Sequence, residues 1–228
     1  MVTVLSVGGS IVAPETPDSE FIDKFATTII TWLKEDFSRK IIMVVGGGGP
    51  ARIYQKAYKN VVKEKVVDAD ADWIGIMATR LNAQLLKAVF GQLCPNSVVT
   101  DPTAVEIFSG QVLIAAGWKP GFSTDNDAVL LAERFSATRV INLSNIAKVY
   151  TDDPKTNPEA KPIDQISWDD FIKIVGTEWV PGKSTPFDPV ASLRAKKSGI
   201  QVICAAGRDL ENIEKILNGE PFIGTVIG

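Results

Sequence analysis

The chain has 228 residues, 45% of them hydrophobic and 22% charged, with a net charge of −3 and no histidine. That length supports one large α/β domain or two small ones, with a substantial core. The missing histidine excludes a Ser-His-Asp triad, a Cys-His nucleophile and any His-based zinc site, so acid/base work falls to carboxylates, lysines or the substrate. No basic run stands out, which gives nucleic acid no footprint. No apolar run reaches bilayer length and no secretory leader opens the chain, so a cytoplasmic protein without a membrane partner is expected. Cys94 and Cys204 follow apolar segments and read as buried thiols.

In chain order, the apolar strand at residues 2–7 runs into Gly8, Gly9 and Ser10. Asp18 or Ser19 then caps a helix on which Phe21, Ile22, Phe25, Ile29, Trp32 and Leu33 recur at helical spacing. Those aromatics read as core, though their stripe also offers a pairing surface. Residues 41–45 form a second apolar strand, the pattern of a parallel sheet covered on both faces. It runs into Gly46, Gly47, Gly48 and Gly49, then Pro50 and Arg52. Backbone donors, a helix N-terminus opened by Pro50 and a guanidinium converge there, which is the chemistry an anion needs. The predicted helix covers 50–63.

A longer helix is predicted over 68–90, with Trp73, Ile76, Met77, Leu81, Leu85 and Val89 on its apolar side. Asp72, Gly75 and Thr79 share another stripe, where glycine permits close approach and the other two offer hydrogen-bonding groups. A short strand is expected at 97–100, and Asp101 with Pro102 reads as the start of a helix. A strand at 111–116 leads into a third glycine loop, 117–125. Thr124 and Asp127 match a capping box, which leaves Asp125 without a capping reason to be there. After a strand at 139–143, residues 144–163 form a long polar connection, more often functional than idle by its length. Ser167 and Asp170 box one helix, Asp188 and Pro189 start another that ends at Ser198, and strands at 201–205 and 222–227 close the chain. Strands alternating with helices imply a three-layer α/β sandwich, a mainly parallel central sheet with helices on both faces. Its ligands gather at the carboxyl ends of the strands, where the three glycine loops lie.

Five pieces in order, Gly8–Ser10, Gly46–Arg52, Asp72–Thr79 with Asn82, Ser123–Asp125 and Val149–Pro154, resemble the amino-acid kinase superfamily. Within it, the chain is most similar to the UMP kinases of the bacterial and archaeal type, closest to the archaeal-like form. The resemblance covers essentially the whole chain as one domain. It implies acceptor-nucleotide binding by residues 1–125, ATP binding by residues 126–228, Mg²⁺ as a cofactor, and a homo-oligomer, a hexamer built from dimers. It assigns Gly8, Gly9 and Ser10 to the transferring phosphoryl group and Gly46, Gly47 and Arg52 to the UMP phosphate. Asp72 falls to the ribose hydroxyls and the 117–124 loop, with Ser123 and Thr124, to the uracil; Thr124 also lies near the acceptor phosphate. Asp125 organises the catalytic groups. Asn145, Tyr150, Asp153 and Pro154 belong to the segment holding the ATP base.

Three positions depart from the family pattern. Ser6 stands where many members carry a lysine, so Lys119 or Lys183 is a candidate to supply that charge. Ala147 and Lys148 replace an Asp-Gly pair beside the ATP site, and Asp127 replaces a small or apolar residue. Two alternatives stay open: a kinase of the same fold with another small phosphate or carboxylate acceptor, and a non-catalytic nucleotide- or oxoanion-binding relative.

Overall fold

A computed structural model describes residues 2–154, 156–178 and 185–228; Lys183 lies outside them. The elements follow as β1 (Val2–Val7), α1 (Gly9–Val12), α2 (Ser19–Glu35), β2 (Lys40–Val45), α3 (Gly48–Val62), α4 (Asp68–Phe90), β3 (Val112–Ala115), α5 (Thr124–Arg134) and β4 (Arg139–Ser144). Then come β5 (Val149–Tyr150), β6 (Pro162–Ile163), β7 (Gln165–Ile166), α6 (Trp168–Val175), α7 (Pro189–Ser198), β8 (Gln201–Ala206), α8 (Leu210–Asn218) and β9 (Thr225–Ile227).

Seven strands form one sheet in the order β3-β2-β1-β4-β8-β9-β7. All pairs from β3 to β8 are parallel, and only the β8–β9 pair is antiparallel. Because β1, β2, β3 and β4 are buried along almost their whole length, both sheet faces must be covered. One face carries α2, α4 and α8, with Phe25, Leu33, Leu86 and Ile213 in the core. The other carries α5, α6 and α7, with Leu131, Phe171, Phe187 and Ala195. The expected sandwich is therefore the fold found.

Asp18 caps α2 by accepting from the Phe21 N–H, and Phe21, Phe25 and Trp32 are buried, so the aromatic stripe is core rather than a pairing surface. Four expectations need correction. First, α4 turns a different face inward: Met77 is 58% and Leu81 69% exposed, and Trp73 and Val89 are exposed as well. Ile76 is buried and Leu85 packs partly buried against the core as expected, and the rest of the inward face is Ala71, Ala78, Thr79, Asn82, Ala83, Leu86 and Phe90. Small and polar residues occupy it because α4 has to approach two glycine loops closely. Second, the 97–100 strand shrinks to a single bridge, Val99 to Ala115, and no helix follows Asp101. The Asp101 carboxylate instead accepts from the Thr103 N–H at 2.8 Å and closes a turn.

Third, the cap of α5 is Ser123, whose hydroxyl accepts from the Asn126 N–H. Thr124 is thus already helical, and Asp127 lies a turn inside, fully buried. Fourth, α3 begins at Gly48 rather than Pro50. The long polar connection contains a small antiparallel hairpin of β5 and β6, and the helix α8 and short strand β7 fill segments that carried no expectation.

Candidate active site

The carboxyl ends of β1, β2 and β3 each release a glycine loop, as the sheet order requires. The first two loops lock together backbone on backbone. A Cβ on Gly9 would lie 2.1 Å from the Gly48 nitrogen, and one on Gly46 would lie 2.4 Å from the Gly9 nitrogen. Gly48 has φ +64, the left-handed region that favours glycine. These glycines therefore bring two loops into contact, a reason beyond ligand approach. Amides at the start of α3 lack intrahelical partners and carry the positive end of its dipole.

Arg52, in the first turns of α3, bridges the same two loops. Its Nη1 donates to the Ser10 Oγ at 3.0 Å and its Nη2 to the Pro14 carbonyl at 2.9 Å. One guanidinium thus stands where the loop assigned to the donor phosphate meets the loop assigned to the acceptor phosphate.

The helix α4 fixes the second and third loops through side chains. Asn82 Nδ2 donates to the carbonyls of Gly46 at 2.9 Å and Gly47 at 3.1 Å. Thr79 Oγ1 accepts from the Gly117 N–H at 2.8 Å, and Asp72 Oδ2 accepts from the Gly121 N–H at 3.0 Å. Asp72 and Thr79 of the stripe are therefore loop anchors, with Asn82 a third, while Gly75 leaves room for the Gln55 side chain of α3. On the third loop the Trp118 and Phe122 rings meet edge to face, centroids 4.8 Å apart. The Lys119 ammonium lies 3.8 Å from the Trp118 ring centroid and 4.9 Å from that of Phe122, cation–π contacts that hold the lysine on its own loop.

Asp125, the second residue of α5, is held from two sides. Its Oδ1 accepts from the Ser6 hydroxyl at 2.8 Å and its Oδ2 from the Asp188 N–H at 3.1 Å. Burial raises its pKa to about 6, and the neighbouring Asp188 carboxylate adds to the rise against those two hydrogen bonds. Ser6, where a lysine was the family expectation, thus donates to the central carboxylate. Two positions further along α5, Asp127 accepts from the Trp118 N–H at 3.1 Å, while its Oδ1 has no partner. Burial pushes its pKa up to about 7.

Beyond β4 the segment is different in kind. Asn145 is exposed, Tyr150 is half-buried, and Asp153 and Pro154 sit in exposed turns. The Asp153 carbonyl accepts from the Asn157 N–H, and Asp152 accepts from the Asn157 side chain at 2.9 Å. Lys148, at the altered pair, forms an ion pair with Asp164. Sequence reasoning did not give Asn82, Asp188 or Asp127 a role in the site. Asn82 was legible only as part of a motif, and Asp188 was legible only as a cap, which it is: its Oδ1 accepts from the Ala191 N–H.

Two glycine loops at strand ends, bridged by one arginine, and a buried carboxylate at the start of α5 stand at the carboxyl edge of a parallel sheet, the place where such folds bind their ligands. The amino acid kinase family model matches residues 1–206, and the chain belongs to that family. It is 35% identical to the uridylate kinase of Pyrococcus abyssi over 220 residues, 95% of each chain. It is 34% identical to that of Thermococcus kodakarensis over 98% of each. The crystal structure of uridylate kinase from Archaeoglobus fulgidus matches with TM-score 0.85 at 35% identity, covering all of both chains. UMP kinase from Bacillus anthracis shares the fold, with TM-score 0.77 at 19% identity, over 100% of this chain and 95% of that one.

Proposed function

We propose that the protein is a uridylate kinase that moves the terminal phosphoryl group of ATP to UMP, giving UDP and ADP, a step of pyrimidine nucleotide synthesis. The observation that carries this reading is the Arg52 bridge between the two phosphate loops. A phosphate-to-phosphate transfer brings two polyanions together, and a bidentate cation at their junction lowers that repulsion. No general base is needed, because the attacking phosphate oxygen is already charged.

In this reading Gly46, Gly47 and Arg52 hold the acceptor phosphate, Asp72 the ribose, and Ser123 and Thr124 the base side. Gly8, Gly9 and Ser10 hold the transferring group, while Asn145, Tyr150, Asp153 and Pro154 hold the rest of ATP. Residues up to about 125 thus serve the acceptor and the remainder serve ATP. Asp125, oriented by Ser6 and the Asp188 N–H, fixes the groups around the reacting phosphates. Lys119 is a second cation for that region.

Among the described residues no cluster of three acidic, histidine or cysteine groups forms a metal cage. That suits Mg²⁺, which binds through substrate phosphates with one or two carboxylates. Asp125 is the carboxylate placed to share it, and the ion supplies charge neutralisation when bound with ATP.

The packed pair α3 and α4 exposes Ile53, Tyr54, Met77 and Leu81, an apolar surface that supports a homo-oligomer. No helix among the described residues is long and apolar enough to cross a membrane, which is compatible with a cytoplasmic protein.

The test is ³¹P NMR of the protein with Mg-ATP and UMP. Equimolar growth of UDP and ADP signals is expected, reduced at least 100-fold in Arg52→Ala. Absence of UDP with wild-type protein would overturn the reading.

A further inference from the structure

A small cavity of about 80 Å³ opens beside the third loop, lined by Asp72, Phe122, Ser123, Asn126, Asp188 and Val190. It is far below the roughly 300–1,000 Å³ of a pocket that swallows a whole ligand, so it takes one end of a molecule lying mostly outside it. Two carboxylates, Asp72 and Asp188, line it, and they repel a phosphate. The end that enters is therefore the uncharged nucleoside end, and the Phe122 ring offers that end a flat face to lie against.

Asn126 is the distinctive group in this wall. Its residue is 3% exposed, and its Oδ1 is buried with no hydrogen-bond partner. A buried polar atom without a partner costs about 1–3 kcal/mol, a penalty removed when a ligand donor arrives. The Asn126 N–H is taken by the Ser123 cap at 3.2 Å. Capping makes no demand on the Asn126 side chain.

We propose that Asn126 reads the acceptor base, its amide pairing with the imide edge of uracil: Oδ1 accepts from the ring N3–H and Nδ2 donates to an adjacent ring carbonyl. An amide offers an acceptor beside a donor, the complement of that edge in one rotamer and of the cytosine edge in the flipped one, so the pair recognises a pyrimidine. This inference rests on the uridylate kinase reading and assigns its recognition of a pyrimidine base to a residue next to Asp125.

The test compares wild type, Asn126→Ala and the isosteric Asn126→Asp. Calorimetric titration of UMP, which needs no turnover, is expected to give at least tenfold weaker binding for Asn126→Ala, with ATP binding unchanged. In turnover, KM for UMP rises at least tenfold while kcat stays within threefold. Asn126→Asp keeps the acceptor for the ring N3–H but places a second acceptor opposite the uracil carbonyl, so its KM for UMP also rises at least tenfold. The Asn126→Ala loss is the same size with dUMP as with UMP. Unchanged UMP binding in Asn126→Ala overturns the proposal, as does a loss that disappears with dUMP, which would put the amide on the ribose. If wild type binds UMP but does not phosphorylate it, the kinase reading fails while the titration still decides the role of Asn126.

Discussion

The parts proposed to hold the acceptor and the donor are built by different means. On the acceptor side, four loop amides and carbonyls are tied to α4 by side chains 35 to 49 residues away in sequence. On the donor side, the turn after β5 is held by bonds spanning three to five residues, from Thr156 and Asn157 back to Asp152 and Asp153. Long-range ties transmit the rigidity of the sheet and α4 to the acceptor loops. The exposed turn itself has these short ties, while the β5–β6 hairpin beside it is joined between Thr151 and Lys161 and from Val149 to Thr225. In the proposed reading the acceptor phosphate and base thus meet groups held from distant parts of the chain, where misplacement is costly, whereas the exposed turn proposed for the ATP base tolerates change.

The largest effect is expected where the two sides touch. Gly9→Ala puts a Cβ into the Gly48 backbone and must separate the phosphate loops. Steady-state kinetics should show kcat/KM falling by about 100-fold or more for both substrates, consistent with the cost of displacing reacting groups by an ångström. A loss confined to ATP would mean that the loops are not coupled.

Next comes Asn82→Ala, which strips the Gly46 and Gly47 carbonyls of their donor. Stability should fall by about 1–3 kcal/mol, read by denaturant titration. KM for UMP should rise while KM for ATP stays put, and an equal rise in both would erase the contrast between the sides.

The two raised carboxyls of α5 give a pH signature of the acceptor side. Asp125 and Asp127 have folded-state pKa values of about 6 and about 7, both above the ordinary 3.8. Between pH 4 and 7 the folded state therefore binds more protons than the unfolded chain, so the contribution of these groups to stability is full below about pH 4 and is lost as pH rises through 7. Asp127→Asn removes the titration yet keeps an oxygen for the Trp118 N–H. The difference in Tm, variant minus wild type, should grow in the variant's favour by several degrees from pH 5 to pH 8. A flat or falling difference would contradict the buried charge.

The smallest effect belongs to the donor side. Asp152→Ala removes a local tie to Asn157 on an exposed turn and should change stability by under about 0.5 kcal/mol and kcat by less than threefold. A tenfold fall in kcat would show that this side is preorganised too.

What the sequence disclosed follows the same division between local and long-range causes. Strand ends, glycine loops and the Asp18, Ser167 and Asp188 caps are set by residues within a few positions, and they lie where the spacing places them. The face of α4 was misread because hydrophobicity alone ranks Met77 and Leu81 as inward. The helix instead turns Thr79 and Asn82 inward, to reach amides and carbonyls from other parts of the chain. The cap of α5 was misplaced by one residue, since Ser123 and Thr124 are equally good caps and only the packing of Asp127 under Trp118 sets the register. That Ser6 would meet Asp125 is a consequence of α5 lying over β1, across 119 residues. No local signal carries it.

The most direct measurement is kcat/KM for UMP, CMP, AMP and GMP with Mg-ATP, beside an Asp125→Asn control. A preorganised acceptor side predicts turnover of UMP at least 100-fold above the other three, and its loss in the control. Comparable turnover of all four, or activity that survives Asp125→Asn, would contradict it.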